Sequence, residues 1–265
     1  MTATIEAPVS TAPALATGAD RAPSLARLTG VELRKMADTR AGFWLLMTTG
    51  LVTVAVVVIQ ILAAEPASQN FFTMFQLTLF PTGILLPILG ILSVTSEWSQ
   101  RTALTTFALV PARSRVALAK TLAATVLALA SVAAGLAAAA AGNVVAGAID
   151  PAAGSWEITG SAIAYASLFN FLNVLTGLAF GMLLMNSAVA IVLYFVLPMV
   201  WTALGSMISA LDKPAEWLDT TRTFAPLVED AMTSGAWARL GTSVALWVAL
   251  PLAAGLVRLL RREVA

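Results

Sequence analysis

The feature that most constrains this chain is a set of five long windows that contain no acidic or basic residue. These windows are Ala41–Ala64, Phe71–Thr95, Thr121–Ile149, Ile158–Leu211 and Leu240–Val257. A bilayer core about 30 Å thick needs roughly 20 apolar residues in a helix, and one charge at mid-span costs about 2.5–3.5 kcal/mol. The windows therefore predict membrane-spanning helices, with buried helices of a soluble protein as the alternative.

The longest window, Ile158–Leu211, has 54 residues, which is too many for one spanning helix. The polar sequence Met185–Ser187 predicts a tight turn that divides this window into two helices. The sequence thus predicts an all-α polytopic membrane protein with six spans. We expect the spans at residues 41–64, 71–95, 121–149, 158–184, 188–211 and 240–257.

The composition agrees with a membrane protein and excludes several kinds of active site. Only 11% of the 265 residues are charged, whereas soluble domains carry about 25%. The chain has no Cys and no His, which excludes disulfides and any catalytic or metal site built on thiolate or imidazole. We expect no catalytic residue, no metal and no nucleic-acid partner. Residues 1–22 lack the features of a secretory signal and predict a flexible tail before a single membrane domain, residues 23–265.

Basic residues are distributed unevenly along the chain. With six spans, 12 of the 15 Lys and Arg residues lie on the side that receives both termini and the segment between spans two and three. The opposite side receives Lys213, Arg222 and Arg239. Because basic residues are retained on the cytoplasmic side of a membrane, this asymmetry predicts cytoplasmic N- and C-termini.

The predicted spans lack the machinery of ion-coupled transport and of ATP hydrolysis. Relay groups such as Asp, Glu, Lys or Arg are absent from the five apolar windows. The phosphate-binding motif G-x-x-x-x-G-K-[ST] does not occur in the sequence. The sequence therefore favours another polypeptide as the source of energy for any uphill transport, although sodium can be held by carbonyls and hydroxyls alone.

A basic segment, Glu97–Lys120, lies between the second and third windows. A helix over Glu97–Val110 would place four apolar residues on one side: Ala103, Leu104, Phe107 and Val110. Pro111 would end that helix. Such a helix is suited to a groove on a soluble partner, but it is equally suited to anionic lipid headgroups.

This arrangement resembles the membrane subunit of ABC-2-type ABC transporters, as found in bacterial export systems. One stretch that carries the resemblance is "LTGVELRKMADTRAGFW" (Leu28–Trp44), which is similar to the amphipathic connecting helix before the first span. The other is "SEWSQRTALTTFALVPARSRVALAK" (Ser96–Lys120), which is similar to the loop after span two. The common "EWRxGT" form appears here as "EWSQRT", so that Arg101 fills the Gly position.

The resemblance implies an exporter subunit in a bacterial plasma membrane. It implies a homodimer or heterodimer of permease subunits above a separate ATPase subunit, which would bind ATP and Mg²⁺, so that this chain carries no cofactor. It assigns residues 24–40 to the connecting helix and residues 96–120 to a loop with a cytoplasmic coupling helix. The implied coupling residues are Glu97, Arg101, Leu104, Phe107, Pro111, Arg113, Arg115 and Lys120. Those implied on the connecting helix are Glu32, Arg34, Lys35 and Arg40.

The resemblance also bears on the outer segment and on the translocation path. Residues 212–239 are implied to form short surface or re-entrant helices, with an ordinary interfacial loop as the alternative, and Pro226 is expected to open a short helix. The implied path-lining residues are Gln76, Thr82, Tyr194, Trp201 and Thr202, each of which has helix packing as its alternative role. Gly177 and Gly181 form a G-x-x-x-G pattern that predicts close helix packing within the subunit, with a dimer contact as the alternative.

Three other functions remain open from the sequence. A membrane scaffold or sensor component that transports nothing would have the same layout. A secondary transporter would need sodium held by carbonyls and hydroxyls alone. An intramembrane enzyme would need catalytic groups near the ends of the spans, because the windows contain no acidic or basic residue.

Overall fold

The structure, a computed structural model, describes residues 23–100 and 102–261. Within these residues every regular element is a helix and no strand occurs, so that the all-α prediction is confirmed. The predicted flexible tail, residues 1–22, lies outside the described residues, and so does the predicted coupling residue Arg101.

The described residues form eleven α-helices. They are α1 (Leu25–Asp38), α2 (Arg40–Ala63), α3 (Phe71–Ser99), α4 (Ala103–Leu109), α5 (Arg113–Ile149), α6 (Gly160–Leu184), α7 (Ser187–Met207), α8 (Ser209–Leu218), α9 (Thr220–Val228), α10 (Ser234–Val244) and α11 (Leu250–Arg261). One π-helical turn, Ala245–Ala249, joins α10 to α11, so that these two helices and the turn form one continuous element.

Six of these elements, counted over the described residues, are long and apolar enough to cross a membrane: α2, α3, α5, α6, α7 and α10–α11. The predicted number of spans is confirmed, and the chain is a multi-pass membrane protein. In α3 and α6, 56% of the most apolar window is buried inside the protein, compared with 17% in α2 and 11% in α7. The centre of the bundle is therefore the α3–α6 pair, while α2 and α7 present apolar side chains outward.

Several helix ends differ from the predicted spans. Helix α5 begins at Arg113, eight residues before the predicted start at 121, and α10 begins at Ser234 rather than 240. The fifth span ends at Met207 instead of 211. Apolar windows mark the part of a helix that crosses the hydrocarbon, whereas Arg and Lys are good helix formers and let the helix continue beyond it.

The turn between α6 and α7 lies where the sequence predicts it. Met185 adopts a left-handed backbone conformation with φ 52°, which ends α6. The side chain of Asn186 then accepts a hydrogen bond from the backbone N–H of Val189 at 3.1 Å and caps α7. An N-cap of this kind satisfies one of the free N–H groups of the first turn.

Small residues let α3 and α6 pack with their backbones in contact. A Cβ atom added to Gly177 would lie 2.2 Å from the carbonyl oxygen of Pro87, and one added to Gly181 would lie 2.9 Å from that of Ile91. No side chain fits at these distances. The predicted role of the G-x-x-x-G pattern in packing within the subunit is confirmed.

Contacts between helix termini define the two ends of the bundle. At one end, the hydroxyls of Thr95 and Ser187 are hydrogen-bonded at 2.7 Å, which brings the end of α3 to the start of α7. At the other end, Gln76 near the start of α3 donates from Nε2 to the carbonyl oxygen of Val228 in α9 at 2.7 Å. Helices α1 and α4 lie at the first end, and helices α8 and α9 lie at the second.

The two ends differ in charge, and we name them accordingly. We call the first end the basic end. Its described basic residues are Arg27, Arg34, Lys35, Arg40, Arg113, Arg115, Lys120, Arg258 and Arg261, and its described acids are Glu32, Asp38 and Glu97. The acids of the second end, the acidic end, are Glu65, Asp150, Glu157, Asp212, Glu216, Asp219, Glu229 and Asp230, and its described basic residues are Lys213, Arg222 and Arg239. Among the described residues, the excess of basic residues at the basic end is thus accompanied by an excess of acids at the acidic end.

Candidate functional site

Four charged side chains from three helices meet at the basic end, and we call them the four-charge cluster. Lys120 of α5 donates from Nζ to Glu32 Oε2 of α1 at 2.6 Å and to Glu97 Oε1 of α3 at 3.0 Å. Lys35 of α1 donates from Nζ to Glu32 Oε1 at 2.8 Å and to Glu97 Oε1 at 2.8 Å. The cluster therefore connects α1 with the end of α3 and the start of α5.

Three of these side chains are almost completely buried. The exposed fraction is 3% for the side chain of Lys120, 6% for Glu32 and 8% for Glu97, whereas Lys35 is 41% exposed. A third bond, from Lys120 Nζ to the carbonyl oxygen of Ser93 at 2.7 Å, uses the remaining donor capacity of the ammonium group. Two acids and two bases sum to zero charge. A buried set of this kind is tolerated only when it is complete, because removing one partner leaves an unpaired buried charge.

The local sequence explains how α1 presents its two cluster residues. Glu32 and Lys35 are three residues apart and so lie on one face of the helix. Burial lowers the pKa of Lys35, but the hydrogen bonds and charges of Glu32 and Glu97 outweigh this and raise the pKa above its ordinary value. The ammonium group of Lys35 is therefore charged at neutral pH.

The connection between α1 and α2 fixes the position of α1. Thr39 is the C-cap of α1, and its hydroxyl accepts a hydrogen bond from the backbone N–H of Gly42 at 3.1 Å, which caps α2. A Cβ atom on Gly42 would lie 1.8 Å from the carbonyl oxygen of Met36, so that only glycine allows this close approach. One residue thus separates the amphipathic helix α1 from the first spanning helix.

The predicted single helix over Glu97–Val110 is wrong. Helix α3 continues to Ser99, and a new helix, α4, starts at Ala103. The backbone N–H of Thr102 donates to the carbonyl oxygen of Glu97 at 2.9 Å, which closes the end of α3 instead of extending it. The predicted apolar residues all lie in α4 or at its C-cap, but they do not share one face, since Ala103 and Val110 are buried whereas Leu104 is exposed.

Helix α4 presents apolar side chains to the surroundings. Leu104 is 50% exposed and Leu109 is 73% exposed. Phe107 faces the protein instead, where its ring lies 6.3 Å from that of Trp98 and 4.8 Å from the guanidinium carbon of Arg113. The helix is thereby held against the bundle on one side and open on the other.

The remaining predicted coupling residues do not join the four-charge cluster. Arg113 donates to the carbonyl oxygen of Leu259 in α11 at 3.0 Å, and Arg115 donates to that of Pro23 at 2.7 Å. Pro111 is exposed in the turn that leads to α5. Each of these two arginines therefore connects the start of α5 to another segment of the chain.

Two of the four predicted connecting-helix residues lie apart from the cluster. Glu32 and Lys35 belong to it, whereas Arg34 and Arg40 are exposed. The structure thus unites Glu97 and Lys120 from the predicted coupling set with Glu32 and Lys35 from the predicted connecting-helix set. The sequence offered these four residues as two separate sets.

The predicted path residues lie at contacts between helices. Thr82 donates to Asn170 Oδ1 of α6 at 3.0 Å, and Tyr194 of α7 donates to Asn173 Oδ1 of α6 at 3.0 Å. Gln76 contacts α9 as described above, and Thr202 of α7 donates to Asp219 Oδ1 at 3.0 Å. The indole N–H of Trp201 is buried without a hydrogen-bond partner. Gln76, Thr82, Tyr194 and Thr202 each make a hydrogen bond to a neighbouring segment, and their place in a translocation path stays a prediction.

Sequence reasoning missed Asp219, a fully buried carboxylate at the acidic end. Besides the Thr202 hydroxyl, it accepts a hydrogen bond from the backbone N–H of Thr221 at 2.9 Å and caps α9. An Asp before a short helix is a known start signal and would have located it. Pro226, expected to open a helix, lies inside α9 instead, because the cap at Asp219 starts the helix earlier.

Neither a metal site nor a related protein identifies the function. Among residues 23–100 and 102–261, no group of three or more acidic side chains is placed to hold a metal ion. No protein-family model matches this chain, and no curated protein matches it. What is established is a helical multi-pass membrane protein whose basic end contains a buried four-charge cluster beside an exposed short helix.

Proposed function

We propose that this chain is the membrane-spanning permease subunit of an ABC exporter. In this proposal it forms the translocation path as a homodimer or heterodimer, and a separate ATPase subunit docks on α4 and drives transport. The observation that carries the proposal is the four-charge cluster, because it joins α1, α3 and α5 at the groove that Leu109 of α4 also lines. A displacement of α4 by the partner would be transmitted through the cluster to α1, α3 and α5.

The exposed face of α4 supports docking. Leu104 and Leu109 are apolar and open, and α4 is connected on one side to Glu97 and on the other to the start of α5. A short apolar helical face is the kind of surface that seats in a groove of a soluble partner. The mechanical role follows from this placement, since both flanks of α4 lead into the four-charge cluster.

The sequence also supports a partner subunit as the source of energy for transport. The charge-free windows of the sequence offer no titratable relay for proton coupling, and the sequence lacks a P-loop motif. ATP and Mg²⁺ would therefore be bound by the partner, and this chain would catalyse no reaction itself.

The charge asymmetry supports the orientation. Basic residues that flank spans are retained in the cytoplasm, and 12 of 15 belong to the basic end by sequence. We therefore assign the basic end, α4 and both termini to the cytoplasmic face of a bacterial plasma membrane.

Co-purification tests this proposal. The double variant L104D/L109D should lose the ATPase subunit that co-purifies with the wild-type chain, because two carboxylates would enter an apolar contact. A152D, a change in an exposed loop of the acidic end, is the control and should retain the ATPase. These leucines are better probes than Arg113 and Arg115, because the arginines hold backbone carbonyls of this chain.

Two results would contradict the proposal. One is a well-folded L104D/L109D variant that keeps its ATPase partner. The other is substrate flux that continues when the ATP site of the partner is disabled.

A further inference from the structure

A large groove lies at the basic end, between α1, the end of α3 and α4. Its volume is about 1140 Å³. Pockets that hold drug-sized molecules have about 300–1,000 Å³, so that this groove has room for a larger ligand. It also borders Thr39, where α1 gives way to the first spanning helix, and therefore lies at the level where the spans emerge from the bilayer.

The walls of the groove are apolar. Its apolar lining includes Leu28 and Val31 of α1, Leu92 of α3 and Leu109 of α4. Val31 and Leu109 are exposed, at 46% and 73%. Apolar walls at this depth match acyl chains, because covering such a surface removes apolar area from water.

The rim of the groove carries two arginines whose charge is not compensated. Arg27 and Arg40 are both exposed. In the described part of the chain, neither guanidinium group has a carboxylate within the 4.0 Å of an ion pair. Glu32, Lys35 and Glu97 also line the groove, but together with Lys120 they form the neutral four-charge cluster. Among the described residues that line the groove, the charge without an ion-pair partner is therefore positive.

We propose that this groove binds an anionic phospholipid of the surrounding bilayer. The acidic headgroup lies at the rim that carries Arg27 and Arg40, and the acyl chains lie along the apolar walls. Arginine suits this role because its planar fork of N–H donors matches phosphate oxygens. Basic pockets between helices at the membrane surface are known to hold acidic headgroups. The bound lipid stabilises α1 against α3 and α4.

Native mass spectrometry of the purified full-length chain tests the proposal. Phosphatidylglycerol and phosphatidylcholine with identical acyl chains are titrated, and the Kd of each is measured. Phosphatidylglycerol should bind more tightly, and R27Q and R40Q should each raise its Kd about fivefold. R34Q is the matched control, because Arg34 is exposed on the same helix but does not line the groove. Its Kd should change less than twofold.

A second variant tests the apolar walls without a change of charge. V31W would fill the groove from the exposed face of α1 and should raise the Kd of phosphatidylglycerol at least tenfold. Its Tm in detergent without phosphatidylglycerol should equal that of the wild type, which separates loss of the site from loss of the fold.

Each alternative occupant has a distinct result that would overturn the proposal. An equal loss of phosphatidylglycerol affinity in R34Q and R27Q would indicate diffuse electrostatic attraction of the lipid to the protein surface. Equal binding of the two lipids would indicate an uncharged ligand, and competition by glycerol phosphate alone would indicate a free anion. Displacement of the lipid by a peptide of residues 1–22 would assign the groove to the chain itself. No ATPase is present in this assay, so that its failure and that of the exporter proposal are distinguishable.

Discussion

The two ends of the bundle each contain a buried charge, but the charges are paired differently. At the basic end, the ammonium group of Lys120 contacts two carboxylates. At the acidic end, the carboxylate of Asp219 accepts hydrogen bonds mainly from uncharged donors. Lys120 bonds Glu32 and Glu97 at 2.6 and 3.0 Å. Asp219 accepts from a threonine hydroxyl and a backbone N–H, and the nearest guanidinium nitrogen, of Arg222, is 3.7 Å away. Charge pairing is thus complete at one end and partial at the other.

The two buried charges have different structural roles, because Lys120 connects three helices whereas Asp219 caps one. The four-charge cluster connects helices that are far apart in sequence, since Lys120 and Glu32 are 88 residues apart. The contacts of Asp219 are more local, because they start α9 and hold it to α7, 17 residues away. We therefore expect the basic end to be more sensitive to removal of one charge.

The largest effect is expected for K120M. The change leaves Glu32 and Glu97 buried without their shared cation, and loss of one partner of a buried pair costs about 3–5 kcal/mol. The free energy of unfolding, measured by denaturant titration in mixed micelles, should fall by this amount. K213M, at an exposed lysine of the acidic end, is the control and should change it by less than about 0.5 kcal/mol. A loss below about 1 kcal/mol in K120M would contradict a cluster that depends on completeness.

A smaller loss in the free energy of unfolding is expected for D219A at the acidic end. Removing an N-cap costs about 0.5–2 kcal/mol, and the variant also removes the acceptor of the Thr202 hydroxyl. The same titration should give a loss near 2 kcal/mol, and D219N, which keeps an acceptor oxygen, should recover most of it. If D219A cost as much as K120M, the distinction between the two ends would fail.

A still smaller loss is expected for K35M within the four-charge cluster. Lys35 is 41% exposed, so that solvent screens its ion pairs, and exposed pairs contribute about 0.2–1 kcal/mol. Comparison of K35M with K120M in one titration separates the contribution of the buried cation from that of the exposed one. Equal losses would show that burial does not decide the strength of the cluster.

The smallest expected effect is a dependence of the stability contributed by Lys35 on pH. The pKa of Lys35 is raised in the folded protein, so that its contribution to stability is fully present below the unfolded pKa of about 10.4 and is lost as the pH rises through the folded value. The difference in unfolding free energy between the wild type and K35M should therefore be constant from pH 7 to 9 and shrink at higher pH. A difference that vanished below pH 9 would contradict the raised pKa.

The spans were predictable because their signal is local, whereas the four-charge cluster was not. A charge-free window reflects the free-energy cost of burying a charge in lipid. That cost applies to each stretch of the chain independently of how the stretch packs against others. The pairing of Lys120 with Glu32 and Glu97 depends on how α1, α3 and α5 pack, and spacing in the sequence does not encode that. Asp219 was missed for a different reason, since its cap signal was present and went unused.

The measurement that tests the central claim most directly is thiol labelling of L104C in a chain that has no native cysteine. Leu104 is exposed on α4 and does not line the proposed lipid groove. A membrane-impermeant maleimide should label L104C in inside-out vesicles that lack the ATPase subunit, and adding the ATPase should protect this thiol. Labelling of L104C from outside intact cells, or labelling that the ATPase leaves unchanged, would contradict docking on α4.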